Sequence, residues 1–330
     1  MKKSYSIPVS VAEKLVRHQL NLGDESLKLT PASTGRFSTT YFVKTLGTNS
    51  EYVIRISPPD DLLMLFYEQR MMRQEPELHQ KIQAATQIPI PTILAYDFTR
   101  ERIDRDYLIM NRMPGKSLAE MRGKLSSKQL EKIFRQWGEL IAQLHSIKSS
   151  QYGYLGAHRP MPPQDRWDEA FEIMWSKMLD DCVNCGIYQD SDRKLGLKLW
   201  QLHRQAFDPH CPSVLCHMDL WVENVLVDAT GQVTCLFDFD RACFGDAENE
   251  FAVGEYCGVT TEAFWEGYGS RFPMTREAAI RRWFYLLYEH QKYIIIRVSE
   301  RHNDQPTARR YANECLRSMH HFLSTGQPYF

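Results

Sequence analysis

VLCHMDLWVENVLVDATGQVTCLFDFDRACFGD, residues 214–246, is the stretch on which the reading of this chain turns. A short run of β-formers delivers His217, Asp219 follows two residues later, and Asn224 five after that. Apolar β-formers then flank the turn Asp228-Ala229-Thr230-Gly231, so a hairpin returns the chain to Asp238 at the end of its second strand. Singly, Asp and Asn are most often turn caps. Together they form a set that phosphoryl transfer needs: one carboxylate to orient and deprotonate a hydroxyl, and two oxygen donors hard enough for Mg2+. Asp219 suits the first task; Asn224 and Asp238 suit the second.

The N-terminal third reads as strands with helices between them. A short helix is expected over 9–20 and an antiparallel hairpin over 39–57, turning at Gly47, Thr48 and Asn49. A helix from 62 to about 85 follows, ended by Pro89 and Pro91, and two more strands over 92–98 and 105–110. Past the turn Met113-Pro114-Gly115 the pattern changes to long amphipathic helices. The clearest covers 126–147, where Leu130, Ile133, Phe134, Trp137, Leu140, Ile141 and Leu144 recur at steps of three and four. The expected boundary divides 1–112 from 113–330, and the fold class is α+β: a small antiparallel sheet with its helix, then a mainly helical lobe.

Composition narrows the function. Forty Lys and Arg against 41 Asp and Glu leave a formal charge of −1, which gives no general field for nucleic acid or an anionic membrane. No apolar run is long enough for a membrane span, and MKKSYSIPVS is no secretory signal, so a cytoplasmic protein is expected. Eight cysteines are too few for a disulfide scaffold, and the single CxxC, Cys182 to Cys185, lacks a second pair at zinc spacing.

The whole pattern resembles the aminoglycoside phosphotransferase and choline kinase-like superfamily, of protein kinase-like fold. The catalytic segment carries His217, Asp219, Asn224 and Asp238-Phe239 at that superfamily's spacing. The flanking blocks GRFSTT (35–40), IPIPTILAYD (88–97), YLIMNRMPGKSL (107–118), IAQLHSI (141–147) and FGD (244–246) follow in its order. The resemblance implies a two-lobed kinase with ATP, or GTP, in the cleft between a nucleotide-binding lobe (1–112) and a catalytic and substrate-binding lobe (113–330). Gly35, Ser38 and Thr39 would approach the phosphates, and Arg55 would hold them from its strand. Glu75, preferred over Glu68, would pair with Arg55, and Met110 to Met113 would meet the adenine edge. His217 would brace the loop, and Asp246 would cap the next helix. Glu250 stands where the family commonly has Asp.

Protein substrates are not expected, because Trp221 and Asp240 replace residues that eukaryotic-type protein kinases carry. A small-molecule hydroxyl acceptor is. Residues 161–192 hold eight acids against two bases and residues 246–266 six against none, which would steer a cationic acceptor such as an amino sugar. An aminoglycoside or similar amino alcohol is the first expectation. Ketosamine- and choline-type metabolites stay open, Trp221 after Asp-Leu being similar to ketosamine kinases, as does a silent nucleotide-binding module.

Overall fold

The computed structural model describes residues 5–32 and 37–329. Helix α1 (Val9–Leu20) precedes β1 (Leu27–Pro31), β2 (Thr39–Thr45) and β3 (Glu51–Ile56); α2 (Glu75–Ala85) then leads to β4 (Ile93–Asp97) and β5 (Tyr107–Asn111). These strands form one antiparallel sheet in the order β1-β2-β3-β5-β4. Strand β2 alternates between buried and half-buried positions, as one face against a core requires. Ala12, Leu15 and Val16 of α1 cover Tyr41, Val43, Ile54, Ile56, Tyr107 and Ile109 on that face.

The expected helix over 62–85 is shorter in the structure. Residues 62–70 run through turns, Met71–Gln74 make a single 3-10 turn, and α2 starts at Glu75 with Pro76 in its first turn. Proline has no N–H to bond the preceding turn and its ring collides with it, so it fits only at a helix start.

Beyond the sheet come β6 (Lys116–Ser117), α3 (Leu118–Met121), α4 (Ser127–Leu144), α5 (Trp167–Asn184) and α6 (Asp190–His203). Ser126 and Gln129 form a reciprocal capping box at the start of α4. Its buried stripe of Ile133, Phe134, Trp137, Ile141 and Leu144 is the one the sequence spacing marks. Next are β7 (Val214–Cys216), β8 (Val225–Val227), β9 (Val233–Leu236) and β10 (Cys243–Gly245). Strands β6, β8 and β9 form one small sheet, and β7 pairs with β10. Helices α7 (Ala247–Tyr256), α8 (Glu262–Tyr268), α9 (Arg276–Val298) and α10 (Gln305–Thr325) complete ten helices among the described residues. Trp167 and Trp175 are wholly buried core, and Trp265 packs at the edge of a second cluster. Among the described residues, no helix is long and apolar enough to cross a membrane.

Candidate active site

Strand β7 ends in a loop whose backbone is held from behind. Met218 has φ 62°, a left-handed conformation that a non-glycine residue holds only under constraint. The constraint is the fully buried Glu250 on α7, whose carboxylate accepts from the amides of His217 and, at 3.0 Å, Met218. His217 completes the brace: Nδ1 accepts from Asp219 N at 3.2 Å, which makes Nε2 the protonated nitrogen donating to Phe237 O at 2.9 Å. Asp246 caps α7 by accepting from Glu248 N and is itself bonded by Tyr285 Oη at 2.8 Å. Burial, with Glu248 nearby, pushes its carboxyl up to about 6.

The loop so fixed presents Asp219 beside Asn224. Asn224 Nδ2 donates to Asp219 Oδ2 at 2.7 Å and to Asp219 O at 3.0 Å, while the Asn224 carbonyl accepts from Phe237 N at 3.2 Å. The hairpin thus ties Asn224 to the residue before Asp238. Asp238 is left-handed too, with φ 69°. Asp219 is only partly exposed, and its desolvation works to raise its carboxyl, yet Arg241 and then Lys292 hold it below its ordinary value. It is an ionised acceptor at neutral pH.

Arg55 joins the sheet to this loop. Its Nη1 contacts both oxygens of Glu75 (2.9 and 2.8 Å), and its Nη2 contacts Asp238 Oδ1 at 2.7 Å and Asp240 Oδ2 at 2.9 Å. The partner of Arg55 is Glu75. Glu68 instead lies in a second ion cluster, bonded by both arms of Arg301 at 2.8 Å. Three carboxylates around one guanidinium leave the first cluster short of positive charge. Burial, opposed by Arg55, drives Glu75 up to about 7.

This donor set fits a divalent cation. The nitrogen of Asn224 is committed to Asp219, which leaves the amide oxygen as its ligand atom, and Asp238 has one oxygen on Arg55 and the other available. Both are hard oxygen donors, the kind Mg2+ prefers. Ser38 and Thr39 are buried where β2 begins, and Thr40 pairs with Arg55 across the sheet. Met110 is buried in β5 opposite Val53. Met113 lies past the end of β5, its sulfur 3.4 Å from Asn111 Nδ2. Gly35 falls outside the described residues.

Three residues of these clusters carried no sequence signal. Arg241 and Arg301 reach them from irregular segments, and Gln74 from the 3-10 turn, its side-chain amide donating to Asp240 O and Ala242 O while accepting from Leu155 N. The acidic stretches meanwhile offer little free charge. Glu248, Glu255, Glu262 and Glu266 pair with Arg281, Arg282, Arg271 and Arg135, and Asp168 pairs with Arg166 and Arg204.

Known proteins share this architecture. A protein of Staphylococcus aureus named a probable ketoamine kinase is 30% identical over 166 residues, 47% of this chain and 56% of that protein. The hygromycin-B 4-O-kinase of Escherichia coli is 28% identical over 183 residues, 51% of this chain and 48% of that protein. The chain therefore spans about half the length of the curated relatives it matches. The crystal structure of aminoglycoside phosphotransferase APH(4)-Ia superposes with a TM-score of 0.64 at 20% identity, covering 94% of this chain and 99% of that one. The sequence matches the phosphotransferase enzyme family over residues 28–279, and the chain belongs to that family, of protein kinase-like fold.

Proposed function

We propose that the protein is a small-molecule kinase that transfers the γ-phosphoryl of ATP to a hydroxyl of an amine-bearing sugar. The carrying observation is the contact of Asn224 with Asp219 at 2.7 Å on a loop whose hairpin leads directly into Asp238. In this reading Asp219 accepts the proton of the acceptor hydroxyl, and Asn224 and Asp238 hold Mg2+. When bound, the ion would neutralise charge developing on the phosphates. Arg55, steadied by Glu75, contacts the phosphates from β3, with Ser38 and Thr39 beside them where β2 begins. The adenine edge lies along Met110 to Met113, where the amides of Asn111 and Arg112 are already bonded to Thr92 O and Glu51 O. GTP would be accepted if those backbone groups tolerate guanine.

The acceptor class rests on the relatives. Hygromycin B is named for one, and a related structure was solved with AMP-PNP and hygromycin B together. Ketoamines are named for three others. Trp221 favours the ketoamine as second reading, since it stands 41% exposed two residues from Asp219 and offers a flat apolar face to a sugar.

The test is ADP release with Mg2+ and ATP or GTP across aminoglycosides, ketoamines, choline and neutral sugars. Turnover by at least one hydroxylated amine is expected, falling at least a hundredfold in Asp219→Asn. Nucleotide with Mg2+ should raise the melting temperature of the parent and of Asp219→Asn but not of Asp238→Ala. Binding without turnover on any acceptor would leave a silent nucleotide-binding module, and equal stabilisation of all three proteins would remove the metal role of Asp238.

A further inference from the structure

Asp219 is engaged on both carboxylate oxygens. Asn224 Nδ2 occupies Oδ2, and Arg241 Nη1 donates to Oδ1 at 3.0 Å. Arg241 follows Asp238 by three residues, and its side chain is only 15% exposed. Its second arm lies 3.6 Å from Glu68 Oε1, but Glu68 is already bonded by both arms of Arg301. Glu68 therefore has a full partner without Arg241. The one oxygen that Arg241 hydrogen-bonds among the described residues belongs to the base itself.

A hydroxyl approaching Asp219 must come in beside this guanidinium, and so must the phosphoryl group it attacks. Among the described residues no other Lys or Arg hydrogen-bonds Asp219. Leu220, Trp221, Val222 and Glu223, which separate Asp219 from Asn224, include no base. Arg55 bonds Glu75, Asp238 and Asp240 rather than Asp219, and Lys292 is buried in an ion pair with Glu289. A phosphoryl group in transfer spreads negative charge over three oxygens, and a planar fork of N–H donors in a water-poor site matches that demand.

We propose that Arg241 is a catalytic residue that bonds the oxygens of the transferred γ-phosphoryl while keeping Asp219 aimed at the acceptor hydroxyl. The inference rests on the kinase reading and deepens it. In the step, the acceptor oxygen forms a bond to the γ-phosphorus. The bond from that phosphorus to the β,γ-bridging oxygen breaks, its electron pair leaving with ADP. The hydroxyl proton passes to the Asp219 carboxylate, and Arg241 keeps all its protons.

The experiment compares the parent with Arg241→Gln, Arg241→Lys, Asp219→Asn and the Asp219→Asn/Arg241→Gln double variant, using Mg2+-ATP and the best acceptor of the panel. Arg241→Gln should lower kcat about 10²–10³-fold with KM for ATP changed by no more than a few fold, and Arg241→Lys should recover part of the loss. A second readout is thermal stabilisation by ADP, Mg2+ and aluminium fluoride, which imitates the phosphoryl group in flight. Arg241→Gln should keep the shift due to ADP, which also shows that it is folded, and lose the increment that aluminium fluoride adds. A residue acting only through Asp219 has nothing left to act on in Asp219→Asn, so the double variant separates the roles. Loss of the fluoride increment beyond that of Asp219→Asn alone supports direct contact. An intact increment in Arg241→Gln, or a double variant equal to Asp219→Asn, overturns it. A parent that neither turns over nor binds nucleotide ends the kinase reading together with this inference, whereas full activity in Arg241→Gln ends the inference alone.

Discussion

Replacing Glu250 by Gln tests how the catalytic loop is held. The Glu250 carboxylate accepts two buried amides, those of His217 and Met218, and hydrogen bonds to a charged group contribute about 1.5–3 kcal/mol each. Glutamine keeps one acceptor oxygen but turns an NH2 group toward the second amide. One charged bond is lost, the other is weakened to a neutral one, and a buried donor faces a donor. The expected loss of stability is about 2–4 kcal/mol. A functional consequence follows from the backbone, since Met218 keeps φ 62° only while Glu250 grips its amide. Released, Met218 would relax toward negative φ and carry Asp219 with it. In urea denaturation the midpoint should fall with an unchanged m-value, and kcat should fall more than tenfold while KM for ATP, which the proposed function assigns to Arg55 on the sheet side, stays within a few fold. Glu250→Asp keeps the charge on a shorter arm and should lie between. A Glu250→Gln protein within 0.5 kcal/mol of the parent would show that these two amides find other partners. One that is destabilised yet fully active would show that Met218 needs no restraint to present Asp219.

Two further outcomes are expected. At the crossing of α4 and α8, a Cβ on Gly138 would lie 2.0 Å from Phe264 O, and one on Gly267 would lie 1.9 Å from Arg135 O. Backbone cannot step aside without parting the helices, so Gly138→Ala and Gly267→Ala should each lose about 3 kcal/mol or more. Gly123→Ala, with nothing within 4 Å, should melt like the parent or slightly above it, and a Gly138→Ala melt matching that control would mean the helices cross elsewhere. His79 contributes one part of the pH dependence: burial lowers it to about 4, the bond from Nδ1 to Pro91 O opposes that, and nearby Arg55 adds to the lowering. Between pH 6.5 and 4 the unfolded chain takes up a proton that the native ring refuses, so stability is present above 6.5 and is lost as pH falls. The slope is at most about 1.4 kcal/mol per pH unit. His79→Asn, which keeps a donor for Pro91 O, should flatten that part of the stability curve measured by urea denaturation from pH 7 to 4.5. An identical slope in the two proteins would mean His79 charges without unfolding.

Part of this architecture is legible because it lies in short-range pattern. Helix α4 shows itself through apolar steps of three and four, and β2 through alternation. Asp219, Asn224 and Asp238 are recoverable because a turn of known chemistry joins them. The segment 62–74 misleads for the same reason. Its Leu63, Leu65, Phe66 and Met72 are spaced as a helix would space them, but they face two different cores and Arg70 breaks the run at φ 56°. Apolar spacing reports that residues are buried, not that one cylinder buries them.

Charge is harder to read than hydrophobicity, because a carboxylate's effect depends on a partner that may lie far along the chain. The acidic run 246–266 and the basic stretch after it look like separate fields in sequence. Folded, Glu248 and Glu255 of α7 face Arg281 and Arg282 of α9, while Glu262 of α8 meets Arg271 just beyond it, so much of the apparent field cancels helix against helix. The carboxylates that matter are those left with unequal company. Around Arg55 three acids share one guanidinium, and around Asp219 the balance is set by Arg241, 22 residues away, and by Lys292 from α9. A cationic acceptor is thus selected, if at all, by the few groups that border Asp219 rather than by the acidity of any stretch. Exchanging surface acids in 246–266 should leave KM for the acceptor nearly unchanged, whereas exchanging Arg241 or Trp221 should not.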